Sequence, residues 1–282
     1  MKILVTGATG FIGNHLVQHL LKKDVEVIAT SRSVEKAKQY QWFSKVKYIP
    51  CNFEKEQEDY FSFFKRPECI IHLAWDGLWD YKDLLHFEKN VPVHYKFIKN
   101  MVHQGLKHVV VTGTCLEYGM QCGPLTEDLE TNPSTPYGLG KDTLRKYLEQ
   151  LCSINSITFQ WIRLFYIYGD GQRETSLLSQ LDEALRRGEK KFNMSGGEQL
   201  RDYLPVEKVA EYIAAIALQT EIQGIINCCS GTPISIRKLV EMHARKRGYS
   251  IELNLGYYPY PDYEPMAFWG DNSKLQSILC EK

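Results

Sequence analysis

The chain opens with a short apolar run, Lys2-Ile3-Leu4-Val5-Thr6, too brief for a helix, which ends at three spaced glycines, Gly7, Gly10 and Gly13. Leu16, Val17, Leu20 and Leu21 then recur at helical spacing, and Asp24 closes that helix before a second strand-sized run, Val25–Ala29. Strand-sized runs return at Val46–Ile49, Cys69–Trp75 and Val109–Thr114, and a helical pattern starts at Pro136 and continues through Leu144, Tyr147, Leu148 and Leu151. After about Tyr166 the alternation loosens. Helical patterns occupy Leu177–Leu185 and Val209–Leu218, a late strand and turn occupies Gly224–Gly231, and a further helix starts at Ile236. Alternating strands and helices predict an α/β fold built on a doubly wound parallel sheet. The expected division is a nucleotide-binding unit over 1–165, to which 205–227 returns, and a smaller C-terminal substrate lobe over 166–282.

The glycines fall between a strand and an amphipathic helix, where each has a physical task. One permits a tight turn, one lets the backbone approach a pyrophosphate, and one lets the helix pack close to the sheet. The helix N-terminus then offers unpaired N–H groups to phosphate oxygens. Gly7, Thr9, Gly10, Phe11, Ile12 and Gly13 are therefore the expected dinucleotide cradle. The second strand ends in Ser31 and Arg32, where an NAD site would usually place an acid for the ribose hydroxyls. A hydroxyl and a guanidinium suit the 2′-phosphate of NADP, so NADP is the expected cofactor and NAD the alternative.

Tyr137 and Lys141 stand four residues apart at the start of the helix that Pro136 opens, and so share a face. An ammonium at that distance is expected to lower the phenol's pKa, and the hydroxyl of Thr114, at the end of a strand, to orient the oxygen that gains or loses the proton. In chain order, the Gly7-x-x-Gly10-x-x-Gly13 loop, His72-Leu73-Ala74, Thr114 and Tyr137-x-x-x-Lys141 resemble the extended short-chain dehydrogenase/reductases, the NAD-dependent epimerase/dehydratase family. The likeness continues through Arg163–Gly169, Gly171-Gln172-Arg173 and Arg201–Val206, nearly the whole chain. It implies a Rossmann-type fold, a nucleotide-sugar substrate and a homodimer formed through helices that include the one carrying Tyr137. It also implies further cofactor contacts from Asn52, Phe53, Leu73, Ala74, Trp75, Asn90, Thr112 and Tyr166, with Lys141 on the nicotinamide ribose. Arg173 and Arg201 are the candidates for the substrate's phosphates.

Departures from the pattern narrow the reaction. Dehydratases of the family place acids directly after the catalytic Thr, whereas here Cys115 and Leu116 follow Thr114. Glu117 comes one residue later, and on a strand-like stretch that shift turns it to the other side. Tyr166 stands where many epimerases carry Asn. His72 reads as a buried strand histidine, Trp75–Tyr81 as an aromatic loop at a strand's carboxyl end, and Tyr257–Pro265 as either an ordered non-helical segment near the sugar or a packed C-terminal strap. The expected enzyme is an NADP-dependent reductase of a nucleoside-diphosphate 4-keto-6-deoxy sugar. A nucleotide-sugar 4-epimerase is the nearest rival, and a non-catalytic NADP-sensing protein a rival of another class.

Composition removes other classes. Lys plus Arg balance Asp plus Glu at 34 each, so nothing favours nucleic acid or an acidic membrane as partner. No apolar run reaches the length of a membrane span, and no signal peptide is read at the N-terminus. The eight cysteines lack metal-ligand spacing and read as buried apolar residues of a reducing compartment, so the expected location is cytoplasmic and no metal site is expected.

Overall fold

A computed structural model describes residues 1–280. Its strands in chain order are β1 (Lys2–Thr6), β2 (Glu26–Thr30), β3 (Lys47–Tyr48), β4 (Cys69–His72), β5 (His108–Thr114), β6 (Gly123–Leu125) and β7 (Thr158–Leu164). Then come β8 (Tyr166–Tyr168), β9 (Lys191–Asn193), β10 (Leu200–Pro205), β11 (Gly224–Cys228), β12 (Pro233–Ser235), β13 (Glu252–Asn254) and β14 (Phe268–Gly270). The helices are α1 (Phe11–Leu20), α2 (Val34–Ala37), α3 (Tyr60–Phe63), α4 (Val91–His103) and α5 (Pro136–Ile154). They continue as α6 (Leu177–Arg186), α7 (Val206–Ala217), α8 (Ile236–Lys246) and α9 (Ser273–Cys280).

Strands that are apolar on both faces have to lie inside, and the central sheet gathers them in the order β11-β7-β5-β4-β1-β2-β3, every pairing parallel. Side chains alternate between its faces. Ile3 and Val5 pack with Leu16, Val17 and Leu20 of α1 and Val209 and Ile213 of α7, whereas Leu4 packs with Phe97 and Ile98 of α4 and Leu144 and Leu148 of α5. The strand order reverses between β1 and β4, so their carboxyl ends open the crevice where ligands sit in such sheets.

The later chain serves both parts of the molecule. Leu178, Leu181 and Leu185 of α6, Phe192, Met194, and Leu239 and Val240 of α8 form a separate core. Meanwhile β11 is an edge of the central sheet and α7 packs on α1, which places the segment 205–227 beside the first unit. Helix α9 also joins the core on the α1 and α7 face of the central sheet, through Leu275 and Ile278. The expected division left α9 in the lobe, because a two-residue apolar face in an eight-residue helix gives little periodic signal. Cys122 and Cys280 are exposed, against the reading of every cysteine as buried. Among the described residues no helix is long and apolar enough to cross a membrane.

Candidate active site

The glycine loop leaves β1 and enters α1 under tight constraints. Gly7 has φ +67°, and a Cβ there would lie 3.0 Å from the backbone nitrogen of Ala74. A Cβ on Gly13 would meet the Gly7 carbonyl oxygen at 2.2 Å, so α1 approaches the loop only because that position is bare. Gly10 caps α1 without a side-chain hydrogen bond, which leaves the first N–H groups for an anion. Gly7, Thr9, Gly10, Phe11, Ile12 and Gly13 all line one cleft of about 1060 Å³ at the sheet's carboxyl edge. That volume lies at the upper end of ordinary ligand sites, and the bare cradle fits a dinucleotide.

The other expected cofactor residues, Ser31, Arg32, Asn52, Phe53, Leu73, Ala74, Trp75, Asn90, Thr112 and Tyr166, line the same cleft. Tyr48 bonds Ser31 Oγ at 2.8 Å, and Arg32 grips Asp76 through two bonds of 2.8 Å each across the mouth. Asn90 stands at the N-cap of α4, but its side chain makes no capping bond. Its Nδ2 donates to the Asp76 carbonyl at 3.0 Å and so pins the loop after β4.

Thr114, Tyr137 and Lys141 line the same cleft. Thr135 caps α5 by accepting the Gly138 N–H at 3.1 Å, and Pro136 pre-sets its first turn, so Tyr137 lands on the inward face. Gly138 and Gly140 let α5 close in: a Cβ on either would stand 2.6 Å from a backbone oxygen, of Leu116 and His86 respectively. Tyr137 stacks on Tyr81 at 5.0 Å and 18° and lies against His86. Lys141 Nζ donates to the Thr112 carbonyl at 2.8 Å.

The expected lowering of the tyrosine is not what this geometry gives. Burial, reinforced by the neighbouring Tyr81 phenol, pushes Tyr137 well up, and a hydrogen bond with the Thr114 side chain only partly opposes it. Burial pulls Lys141 down to about 7, with Glu117 opposing. Each group is biased towards its neutral form by leaving water.

His72 is fully buried, as read from the sequence, but its partners are side chains. Nδ1 meets Thr6 Oγ1 and Nε2 meets Nδ1 of His94, both at 2.9 Å. His94 lines the cleft and was missed; its signal is the one-turn spacing from Asn90. Tyr81, Tyr263 and Glu264 also line the cleft, so both the aromatic loop and the C-terminal strap contribute to it.

The two arginines part company. Arg173 lines the cleft, with a guanidinium nitrogen 2.6 Å from the Leu78 carbonyl oxygen. Arg201 corrects the expectation. It lies behind the cleft wall, 2% exposed, held by Glu264 at 3.0 Å and stacked 4.5 Å over Phe268, so its fork is occupied inside the protein. Glu264 also accepts from the Tyr166 hydroxyl. The reason given for Glu117 is likewise corrected: Cys115–Tyr118 is a 3-10 turn, not a strand. Glu117 closes a capping box on the Thr114 N–H and pairs with Arg163 at 2.8 Å and with Trp161, fully buried. Cys115 and Leu116 line the cleft; Glu117 does not.

A parallel doubly wound sheet, a bare glycine cradle and a Tyr–Lys pair beside a strand-end Thr are the marks of a Rossmann-type nicotinamide-dependent enzyme. Residues 3–229 match the NAD dependent epimerase/dehydratase family, and the chain belongs to it. It is 32% identical over 271 residues to the dTDP-6-deoxy-L-talose 4-dehydrogenase (NAD(+)) of Aggregatibacter actinomycetemcomitans, across 96% of this chain and 99% of that protein. It is 24% identical over 259 residues to the dTDP-4-dehydro-6-deoxyglucose reductase of Escherichia coli, across 85% and 79%. Its fold resembles the UDP-glucuronic acid 4-epimerase from Bacillus cereus in complex with UDP-glucuronic acid and NAD. The TM-score is 0.86 at 26% identity, over 100% of this chain and 94% of that one.

Proposed function

We propose that the protein is an oxidoreductase of a nucleoside-diphosphate 6-deoxyhexose, acting at carbon 4 and reducing the 4-keto sugar. The observation that carries this is the placement of Thr114, Tyr137 and Lys141 in the cleft that also holds the glycine cradle. The end-to-end similarity to a 4-dehydrogenase of a dTDP-6-deoxy sugar supports the substrate class and a net redox reaction. A bound nicotinamide supplies the two-electron donor or acceptor. Tyr137 gives its hydroxyl proton to the oxygen formed at carbon 4, Thr114 holds that oxygen, and Lys141 holds the nicotinamide ribose. Dehydration is disfavoured, because the only carboxylate of the turn after Thr114 is engaged by Arg163 and Trp161.

For the cofactor we propose NADP, on the lining of Ser31, Arg32, Ser33 and Lys36 around the end of β2. A second reading, NAD, is favoured by Asp76, which already holds the Arg32 fork, and by the NAD(+) in the name of the 32% relative. For assembly we propose a homodimer through α5, where Leu139, Tyr147 and Ile154 are exposed; sedimentation at monomer mass would overturn it.

The deciding experiment offers dTDP-4-keto-6-deoxy sugars with NADPH or NADH. One dinucleotide oxidised per sugar reduced is the expected result, with the larger kcat/KM for NADPH. A larger value for NADH selects the second cofactor reading. Redox-neutral inversion at carbon 4 with retained NAD overturns the reductase in favour of an epimerase, the reading favoured by the fold likeness to the Bacillus cereus enzyme.

A further inference from the structure

Lys141 Nζ stands 4.1 Å from the centroid of the Trp75 ring while donating to the Thr112 carbonyl. The indole is not free to turn away. Its Nε1–H donates to His86 Nδ1 at 3.0 Å, which puts the His86 proton on Nε2, and Nε2 reaches the Asp80 carbonyl at 2.8 Å. His86 lies nearly parallel to the indole at 9°, and His94 at 17° and 5.1 Å.

His94 is fixed in turn. Thr6 Oγ1 accepts the N–H groups of Leu73 and Ala74, so its own proton goes to His72 Nδ1. His72 then carries its proton on Nε2 and gives it to His94 Nδ1. Each link dictates the tautomer of the next, and a rigid stack of His86, Trp75 and His94 results beside the ammonium.

A buried ammonium is disfavoured by lost hydration, and an aromatic face is one of the few uncharged groups that attract it. The titratable groups facing Lys141 are Glu117 from the turn after β5, His72 from β4 and His94 from α4. Tyr137 precedes it by one turn of α5, with His86 against that ring. Of these only Glu117 favours the charged lysine.

We propose that Trp75 is a positioning residue for Lys141: the indole face holds the side chain against the Thr112 carbonyl and keeps it charged where burial would neutralise it. The inference rests on the reading of Lys141 as the ribose-holding lysine in its ammonium form.

NMR of the ligand-free protein labelled at lysine Cε, with the signal assigned by its loss in Lys141→Met, reads the midpoint directly. The native midpoint should fall by about one pH unit in Trp75→Leu and by less in Trp75→Phe, which keeps a smaller π face. The alkaline limb of the pH–rate profile should move down in parallel. An unmoved midpoint in folded Trp75→Leu overturns the proposal, as does an equal loss of rate at every pH with Phe no better than Leu. Should Trp75→Leu not fold, an unmoved midpoint in Trp75→Phe has the same force. If the native protein turns over no sugar nucleotide, the functional reading fails while the midpoint still tests Trp75.

Discussion

Tyr137, Thr114 and Lys141 are separately ordinary, and their value comes from being buried together at one cleft. A Tyr137→Phe variant should lose about 100- to 10,000-fold in kcat, the range for a positioned proton donor, while still binding dinucleotide. Full activity in that variant, measured by steady-state kinetics beside calorimetric binding, would remove Tyr137 from the chemistry. Titration of buried groups should also show in stability. His94 falls from 6.5 to about 3 on folding, and His72 is lowered as well. The unfolded chain therefore binds more protons below about pH 6.5, and stability should fall as pH drops from there towards 3. Melting temperatures between pH 7 and 5 should show that slope, and His94→Gln should flatten it. A slope unchanged by the substitution would place the proton uptake elsewhere.

Elements were legible where local pattern and burial agree. The glycine loop, the α5 helix and the sheet strands β1 to β5 and β11 could be read because each is written in a few consecutive residues, and Thr135-Pro136 marks where α5 starts, whereas β7 was not read. What could not be read depends on contacts far apart in sequence. Glu117 meets Arg163 across 46 residues, and Arg201 meets Glu264 across 63. Neither pairing leaves a periodic trace, so one carboxylate was given the wrong local geometry and one arginine the wrong role. The elements carry their own tests. Gly13→Ala forces α1 away from the Gly7 carbonyl, and dinucleotide affinity should fall at least tenfold; an unaltered Kd would contradict the cradle. Glu117→Gln leaves a buried guanidinium without its counter-charge and should cost about 3 kcal/mol in urea unfolding, where a change within about 0.5 kcal/mol would count against the pairing.

At the scale of the molecule, the chain leaves the central sheet after β7 and returns to it at β11, so the sheet is finished only late in the sequence. A chain cut after Gln223 would lack β11 and α9 and would bare the core around Ile162 and Val209. We expect it to be insoluble or to melt without cooperativity; a soluble fragment with a sharp calorimetric transition would contradict this. The same routing separates two kinds of information. Cradle, Thr114, Tyr137 and Lys141 all precede β7, whereas Arg173, Tyr263 and Glu264 reach the cleft from the excursion and the strap beyond it. On the proposed reading, mutation beyond β7 retunes which sugar is accepted and leaves Thr114, Tyr137 and Lys141 untouched.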